Sequence, residues 1–514
     1  MVAVVALATA SATVMAGCRP ALAPREPFRA ADFTINKIAD QDYAGFTVTG
    51  DLLGNKDLEI VTTSLNIDYL PPVNGVAQRP NIVPGSMTLH KGSGTNWTST
   101  KVFDTDAGLV FPNEPTISDV DGDGKNDIIV PSGNFFTRAA SPPIGGGAMT
   151  WWKNNGNGTF SRNNIATNVP GSYHVAIHVD FDGDGVKDIV TNYEDGGFPG
   201  FPFGPPLPPF IATPVTKVQY FPGLGGGNFG PAVDLANGGG SLPSVVDLDL
   251  DGDLDVISAQ YFGVKAQAGC GNQGCVTDES FVWFENTKGK NAGPLAFGDL
   301  TKHVVARGLG ESFEFRPIDN IDGDGKYGAI GINHVNTAVS GLPGVTAQIP
   351  QVVRLTPGDD PRQPWDVEVI ADDFSIDDLR TGQAAPGFAS DGDIDGDGDV
   401  DIVLSGDSDG TVYWLERKAD GSWAQRDLLT EFGGPATLAQ LQTPSPKYPN
   451  QPAVSPNTGY GQGSVSIADL NRDGKNEIVF SSFNSASVEI ASRDKNTGGI
   501  FPAVPRTPDF FKPY

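Results

Sequence analysis

An aspartate-rich loop recurs seven times along the chain, each time just before a short apolar run, and this recurrence constrains the fold more than any other feature. Four copies are complete: Asp119-Val-Asp121-Gly-Asp123-Gly-Lys-Asn-Asp127, Asp180-Phe-Asp182-Gly-Asp184-Gly-Val-Lys-Asp188, Asp247-Leu-Asp249-Leu-Asp251-Gly-Asp253-Leu-Asp255 and Asp393-Ile-Asp395-Gly-Asp397-Gly-Asp399-Val-Asp401. Carboxylates two residues apart, in a chain bent by glycine, turn their oxygens toward one centre, and the carboxylate at position 9 closes the shell from the following strand. Hard oxygen donors on a flexible loop suit Ca²⁺ better than Mg²⁺, which demands a tight octahedron, or zinc, which prefers nitrogen and sulfur. One copy alone reads equally well as a solvated acidic turn. Four in register point to calcium.

Three further copies are degraded. Asp469-Leu-Asn471-Arg-Asp473-Gly-Lys-Asn-Glu477 keeps an oxygen at every ligand position and is expected to bind. In Asn320-Ile-Asp322-Gly-Asp324-Gly-Lys-Tyr-Gly328 glycine replaces the closing carboxylate, and in Asp51-Leu-Leu53-Gly-Asn55-Lys-Asp57-Leu-Glu59 leucine stands at position 3. Those two loops are expected to be weak or empty, which leaves four or five occupied Ca²⁺ sites.

Loop starts at 51, 119, 180, 247, 320, 393 and 469 define seven units, a periodicity that outranks any local reading. Within each unit a strand enters the loop and an apolar strand leaves it, as at Asp127 to Val130 or Asp401 to Leu404. An aromatic strand follows: Met149-Thr-Trp-Trp152, Val218-Gln-Tyr-Phe221, Phe281-Val-Trp-Phe284 or Val412-Tyr-Trp-Leu415. A turn rich in glycine and asparagine leads to a last strand such as Phe160 to Ala166 or Trp423 to Leu429. Four short strands with turn signals between them make one sheet, and radial repetition of such sheets makes a propeller. The expected fold is all-β, a seven-bladed β-propeller of four-stranded blades with the calcium loops between first and second strands. Phe33-Thr-Ile-Asn-Lys-Ile38 reads as a last strand without a blade of its own, and is expected to complete the final blade.

On these loops the chain resembles the FG-GAP and VCBS-type repeat family, which includes the calcium-bearing propeller of integrin α chains and some fungal lectins. The resemblance runs from about Phe33 to the C-terminus. It implies seven blades and bound calcium, with the ligands at Asp119, Asp121, Asp123, Asp127, Asp180, Asp182, Asp184, Asp188, Asp247, Asp249, Asp251, Asp255, Asp393, Asp395, Asp397, Asp401, Asp469, Asn471, Asp473 and Glu477.

The net charge is −28, and more than twenty of the acidic groups sit in the seven loops. Much of the acidity is therefore metal chemistry, and a basic face for nucleic acid is not expected. Val2 to Ala16 is an apolar run too short to span a membrane as a mature helix. Met15-Ala16-Gly17-Cys18 resembles a bacterial lipobox, which makes 1–17 a lipoprotein-type signal peptide, Cys18 the lipidated residue and 18–32 a linker before the propeller at 33–514. An ordinary signal peptide is the alternative. The chain is thus expected to be exported, as an outer-membrane or cell-surface lipoprotein or otherwise secreted, and to meet a membrane only through that anchor. Cys270 and Cys275 are an even pair, expected to close a small disulfide loop in an oxidising compartment.

The connections between second and third strands are long in units 1 to 5 and short in units 6 and 7, which builds a one-sided wall on the face opposite the loops. The third of them, 198–210, carries Phe201 and Phe203 on a proline-rich frame, where exposed aromatics would stack on sugar rings. The residue six before each loop start should stand at the channel mouth on that face, and in units 2 to 5 it is polar: Asn113, His174, Ser241 and Glu314. Glu114, Tyr173 and Arg316 lie beside them. This set would hydrogen-bond a sugar, abstract a proton beside a uronate, or form a hydrated rim. His178 is expected to pack.

No nucleophile elbow, phosphate loop or dinucleotide fingerprint is present. Two functions remain open beside a third, a scaffold within a surface assembly. One is a calcium-stabilised binding module for glycan or protein at the cell surface. The other is a carbohydrate-active propeller, a polysaccharide lyase or sugar dehydratase, with His174, Tyr173, Glu314 and Arg316 as candidate catalytic residues.

Overall fold

The computed structural model describes residues 33–493 apart from 69–80, 95, 134–145, 196–214, 241, 261–263, 266–274, 277–278, 291–292, 310–311, 320, 322–326, 334, 337–349, 373, 375–382, 385, 407–411, 430–462 and 483–486. Phe201, Phe203, Ser241, Cys18 and Cys270 lie outside the described residues, as do the signal-peptide and linker segments; of Cys275 only its place in a two-residue strand is described.

The main sheets are antiparallel and follow chain order. Unit 1 pairs Ala44–Gly50, Glu59–Ser64, Ser86–Ser93 and Asn96–Phe103 in that sequence. Unit 2 repeats the order with Thr116–Ser118, Asp127–Ser132, Gly147–Asn154 and Phe160–Val169, and units 4, 5 and 6 do the same. In the last unit Val465–Ala468, Glu477–Ser482 and Ser487–Arg493 are joined on their outer edge by Phe33–Asp40, in a register running from Phe33 opposite Arg493 to Asp40 opposite Ser487. The N-terminal strand therefore completes the final sheet, and the fold is an all-β propeller of four-stranded blades.

One expectation is corrected. Six sheets, not seven, are four-stranded; the sheet of unit 3 has five strands. Its first strand is split into Ser172–Tyr173 and Ile177–Val179, both paired with Asp188–Asp195. The break arises because the intervening carbonyls turn toward unit 2. His174 O accepts the Glu114 N–H at 3.2 Å, and Ala176 O accepts Thr116 Oγ1 at 2.5 Å. Thr191 Oγ1 supplies the missing ladder donor to Val175 O at 2.6 Å.

Side chains alternate across a strand, so the paired aromatics on the third strands of units 2, 3 and 4 feed two interfaces. Trp152 packs toward unit 1, stacked on Phe103 with ring centroids 4.6 Å apart, while Trp151 joins the cluster shared with unit 3. Phe221 and Tyr220, then Phe284 and Trp283, repeat the division at the following interfaces. The last cluster sets Ala44 and Ile60 against Val479, Val488 and Ile490, so the ring closes on an apolar contact as well as a shared sheet. Thr47 N–H donates to Ser464 Oγ at 2.6 Å, and Ser466 Oγ donates to Thr47 O at 2.7 Å, at the same seam.

The turn after the closing strand is fixed by a buried polar pair. Gln41 Nε2 donates to Thr62 O and Ser64 Oγ, both at 3.0 Å, and its Oε1 lies 3.1 Å from His90 Nε2, whose Nδ1 meets Ser99 Oγ at 2.8 Å. Burial, with Lys101 adding to it, pushes His90 down to about 4. An imidazole kept neutral in the fold but free to protonate when unfolded withdraws stability as pH falls below its ordinary value of 6.5 toward 4. Between pH 7 and pH 4.5 the wild type should therefore lose about 2–3 kcal/mol more unfolding free energy than His90→Gln. Denaturant titrations at the two pH values check this, and equal losses in both proteins would contradict it.

Candidate functional site

Each acidic loop is ordered by its own aspartates before any cation is considered. The position 1 carboxylate accepts the N–H of position 6: Gly124 to Asp119 and Gly185 to Asp180 at 2.9 Å, then Gly252 to Asp247, Gly398 to Asp393 and Gly474 to Asp469 at 3.0 Å. Position 3 caps position 5, with Asp123 N–H to Asp121 Oδ1 and Asp184 N–H to Asp182 Oδ1 both at 3.2 Å. These turns require left-handed backbone at position 6, where the five loops carry glycine with φ from 84° to 96°.

The closing residue at position 9 reaches further. One oxygen accepts the N–H of position 2, as in Val120 to Asp127 (3.1 Å), Phe181 to Asp188 (2.9 Å), Leu248 to Asp255 (3.1 Å), Ile394 to Asp401 (3.0 Å) and Leu470 to Glu477 (2.8 Å). In units 2, 4 and 6 the other accepts an N–H from the third strand, Asn154 at 2.7 Å, Asn286 at 2.8 Å and Arg417 at 2.9 Å, and in unit 3 that of Gly223, two residues beyond the strand, at 2.7 Å. Burial raises these acids despite the bonds, Asp188 to about 6 and Glu477 to about 7, with Asp255 and Asp401 well above the usual range. The sequence marked position 9 only as a metal ligand. The structure gives it a second task, tying the loop to the sheet.

Carboxylate oxygens at positions 1, 3 and 9 converge within 4.8 Å in units 2, 3 and 6, as Asp119, Asp121 and Asp127, Asp180, Asp182 and Asp188, and Asp393, Asp395 and Asp401. In unit 4 the convergent set is Asp247, Asp249 and Asp251, while Asp253 is buried and pushed up to about 7 by burial and then by those three neighbours. Buried Oδ1 atoms of Asp180, Asp247 and Asp249 have no hydrogen-bond partner among the described residues. Unsatisfied anionic oxygens grouped this closely fit a hard divalent cation, and the donor set contains no nitrogen or sulfur that would favour zinc. In unit 7 Asn471 Nδ2 instead donates to Glu477 Oε1 at 3.0 Å. The unit 5 loop lies outside the described residues apart from Ile321, Tyr327 and Gly328.

First strands of all seven units line a central cavity of about 200 Å³. Glu114, Glu314 and Arg316 stand in its wall with Asp391, a residue the sequence did not single out. Arg316 donates to Glu314 Oε1 from Nε at 3.1 Å and Nη2 at 2.8 Å, to Asp391 Oδ1 from Nη1 at 3.0 Å and to Ala389 O at 2.7 Å. Glu314 Oε2 accepts the Ala389 N–H at 2.8 Å, so this group locks unit 5 to unit 6.

The unit 3 candidates sit apart from that group. Tyr173 is buried among Tyr193 and Phe221, and burial raises its phenol well above the ordinary value. His174 is buried with Nε2 3.4 Å from Glu194, and burial pushes it down to about 4. The Asn113 amide donates to Gly133 O at 2.9 Å and Tyr173 O at 2.8 Å, joining units 2 and 3. His178 packs as expected, its Nδ1 2.8 Å from Ser118 Oγ, and also reaches the cavity wall.

A ring of antiparallel sheets with aspartate loops between first and second strands defines a β-propeller with repeated acidic loops. The FG-GAP-like repeat profile matches residues 119–191 and 393–480, in each case from the first position of one loop to the second strand of the next unit, and the chain is a β-propeller carrying FG-GAP-like repeats. No curated protein matches the chain. Among solved structures it is similar to a lectin from Agrocybe aegerita that recognises non-reducing terminal N-acetylglucosamine, at 16% identity over 74% of this chain and 94% of that one, with a TM-score of 0.33. A chain from the complex of BBS1N with ARL6DN is 10% identical over 92% and 98%, with a TM-score of 0.44. An α-L-arabinofuranosidase from Fusarium graminearum in complex with an iminosugar inhibitor is 10% identical over 90% and 98%, with a TM-score of 0.37. Likenesses this distant carry nothing about what the chain binds.

The two tasks of the loop acids separate experimentally. With chelator present, Asp188→Ala should cost about 2–4 kcal/mol, because it strands buried backbone donors, whereas the exposed Asp184→Ala should stay within about 1 kcal/mol. Equal costs by denaturant unfolding would contradict the division.

Proposed function

We propose that this protein is an exported, calcium-stabilised propeller that acts as a binding module for a glycan or a surface protein. The observation that carries the reading is how the polar groups are used. Four loops group carboxylates around a common centre, while the groups that would serve catalysis are committed to the fold. Arg316 and Glu314 are tied to each other and to unit 6, Tyr173 is enclosed by aromatics, and burial keeps His174 neutral. Loops between first and second strands fall on one rim of an antiparallel blade and the long second-to-third connections on the other, so a ligand would meet the rim opposite the metal loops. Asp119, Asp180, Asp247, Asp393 and Asp469 with their loop partners would hold Ca²⁺, which would neutralise the crowded carboxylates. Support for export and a lipid anchor at Cys18 comes from the apolar run before it.

Calcium in hundredfold excess over Kd adds about 2.7 kcal/mol per site to the folded state. Millimolar Ca²⁺ should therefore raise Tm by several degrees over the chelator-treated chain, and a Tm indifferent to both would remove the metal from the account. In calcium the chain should be retained on an immobilised polysaccharide or surface protein without releasing new chain ends. Release that stops in His174→Ala would replace the binding reading with an enzyme.

A further inference from the structure

The unit 2 loop carries a cation of its own. Lys153 follows Trp152, the residue opposite Ile128 of the second strand, and the same register position holds Pro222 in unit 3, Glu285 in unit 4 and Glu416 in unit 6. Lys153 Nζ donates to Asp121 Oδ2 and, at 2.9 Å, to Asp123 Oδ2, the carboxylates at positions 3 and 5. Lys125 Nζ reaches the same Asp123 oxygen at 3.0 Å. Unit 3 is different: among the described residues no basic side chain forms an ion pair with Asp180, Asp182 or Asp188, and Asp180 Oδ1 is buried without a partner.

Resting on the reading that these loops take Ca²⁺, we infer that Lys153 is a tethered competitor for the cation of unit 2, so that this loop fills only after that of unit 3. Asp121 and Asp123 cannot offer the same lone pairs to an ammonium and to a dication. Unlike a bulk counterion, the ammonium is held at the site by its strand, and a dication a few ångströms from it is strongly repelled. Lys153 must swing into solvent before the metal enters, and its side chain is about one-third exposed (34%), which leaves that path open.

Terbium is a suitable probe, because it occupies calcium loops and emits when a nearby indole is excited. Trp151 and Asp121 both pack against Gly227, so unit 2 has a built-in sensitiser. Terbium titrations of the full chain should show a weak phase that Asp121→Asn removes. In Lys153→Met that phase should move to at least fivefold lower terbium, while Lys153→Arg, which keeps the charge, should stay with the wild type; circular dichroism checks that each variant is folded. An unchanged midpoint in Lys153→Met, with sensitised emission present, would overturn the competitor. Absence of calcium-competed emission in every variant would instead overturn the reading of the loops as metal sites.

Discussion

A buried carboxylate at the end of the acidic loop is the interaction on which the blades of units 2, 3, 4 and 6 depend. It accepts one backbone N–H from the loop and another from the third-strand side, so three consecutive segments of a unit meet at one side chain. Burying an anion is expensive, and these two bonds with the nearby loop turns offset that cost only in part, as the raised pKa values of Asp188 and Glu477 show. Unit 1, whose metal pattern is degraded, keeps only the loop half of this arrangement: Glu59 Oε2 accepts the N–H groups of Leu52 at 2.8 Å and Leu53 at 3.2 Å. Unit 5 has Gly328 there and takes another route: its first strand, Ser312–Asp319, pairs without a break from Glu314 opposite Ile332 to Asp319 opposite Tyr327. Where the carboxylate is missing, backbone ladder replaces it.

From that anchor the rest of the ring follows. The bridge fixes where the second and third strands begin to pair, and strand alternation in units 2, 3 and 4 then sends the first aromatic of each pair to the following interface and the second to the preceding one. Loop side chains also tie neighbours together. Asn126 Nδ2 donates to Asp51 O at 2.9 Å, and Asn476 Nδ2 to Asp393 O at 2.8 Å, each joining a position 8 asparagine to the loop of the preceding unit. A cation that orders one loop would thereby brace the adjacent blade, which suits a rigid platform better than a site that must open and close.

Much of this was legible because it is local. Carboxylates spaced by two, glycine where the backbone turns left-handed, and a doubled aromatic on the third strand all lie within a few residues, and their period gave the repeat. Phe33–Asp40 could be placed because the last unit lacks an outer strand. What stayed hidden depends on residues far apart in the chain: Arg362 on Asp249 at 2.7 Å, Arg316 on Asp391, and Lys153 across unit 2. The split first strand of unit 3 was illegible for the same reason, since it is drawn toward Glu114 and Thr116 of the neighbouring blade. Tyr173 and Glu314 looked like partners by position alone. Burial in separate environments divides them.

Native-state hydrogen exchange tests the central claim most directly, read at the position 2 amides of Val120, Phe181, Leu248 and Ile394 with chelator present. If the buried carboxylate holds the blade, these loop amides will exchange as slowly as the second-strand amides of Ile129 and Val190. Exchange at the rate of an exposed turn would show that the loops are held by metal alone, and that the carboxylate bridge is not what orders the sheet.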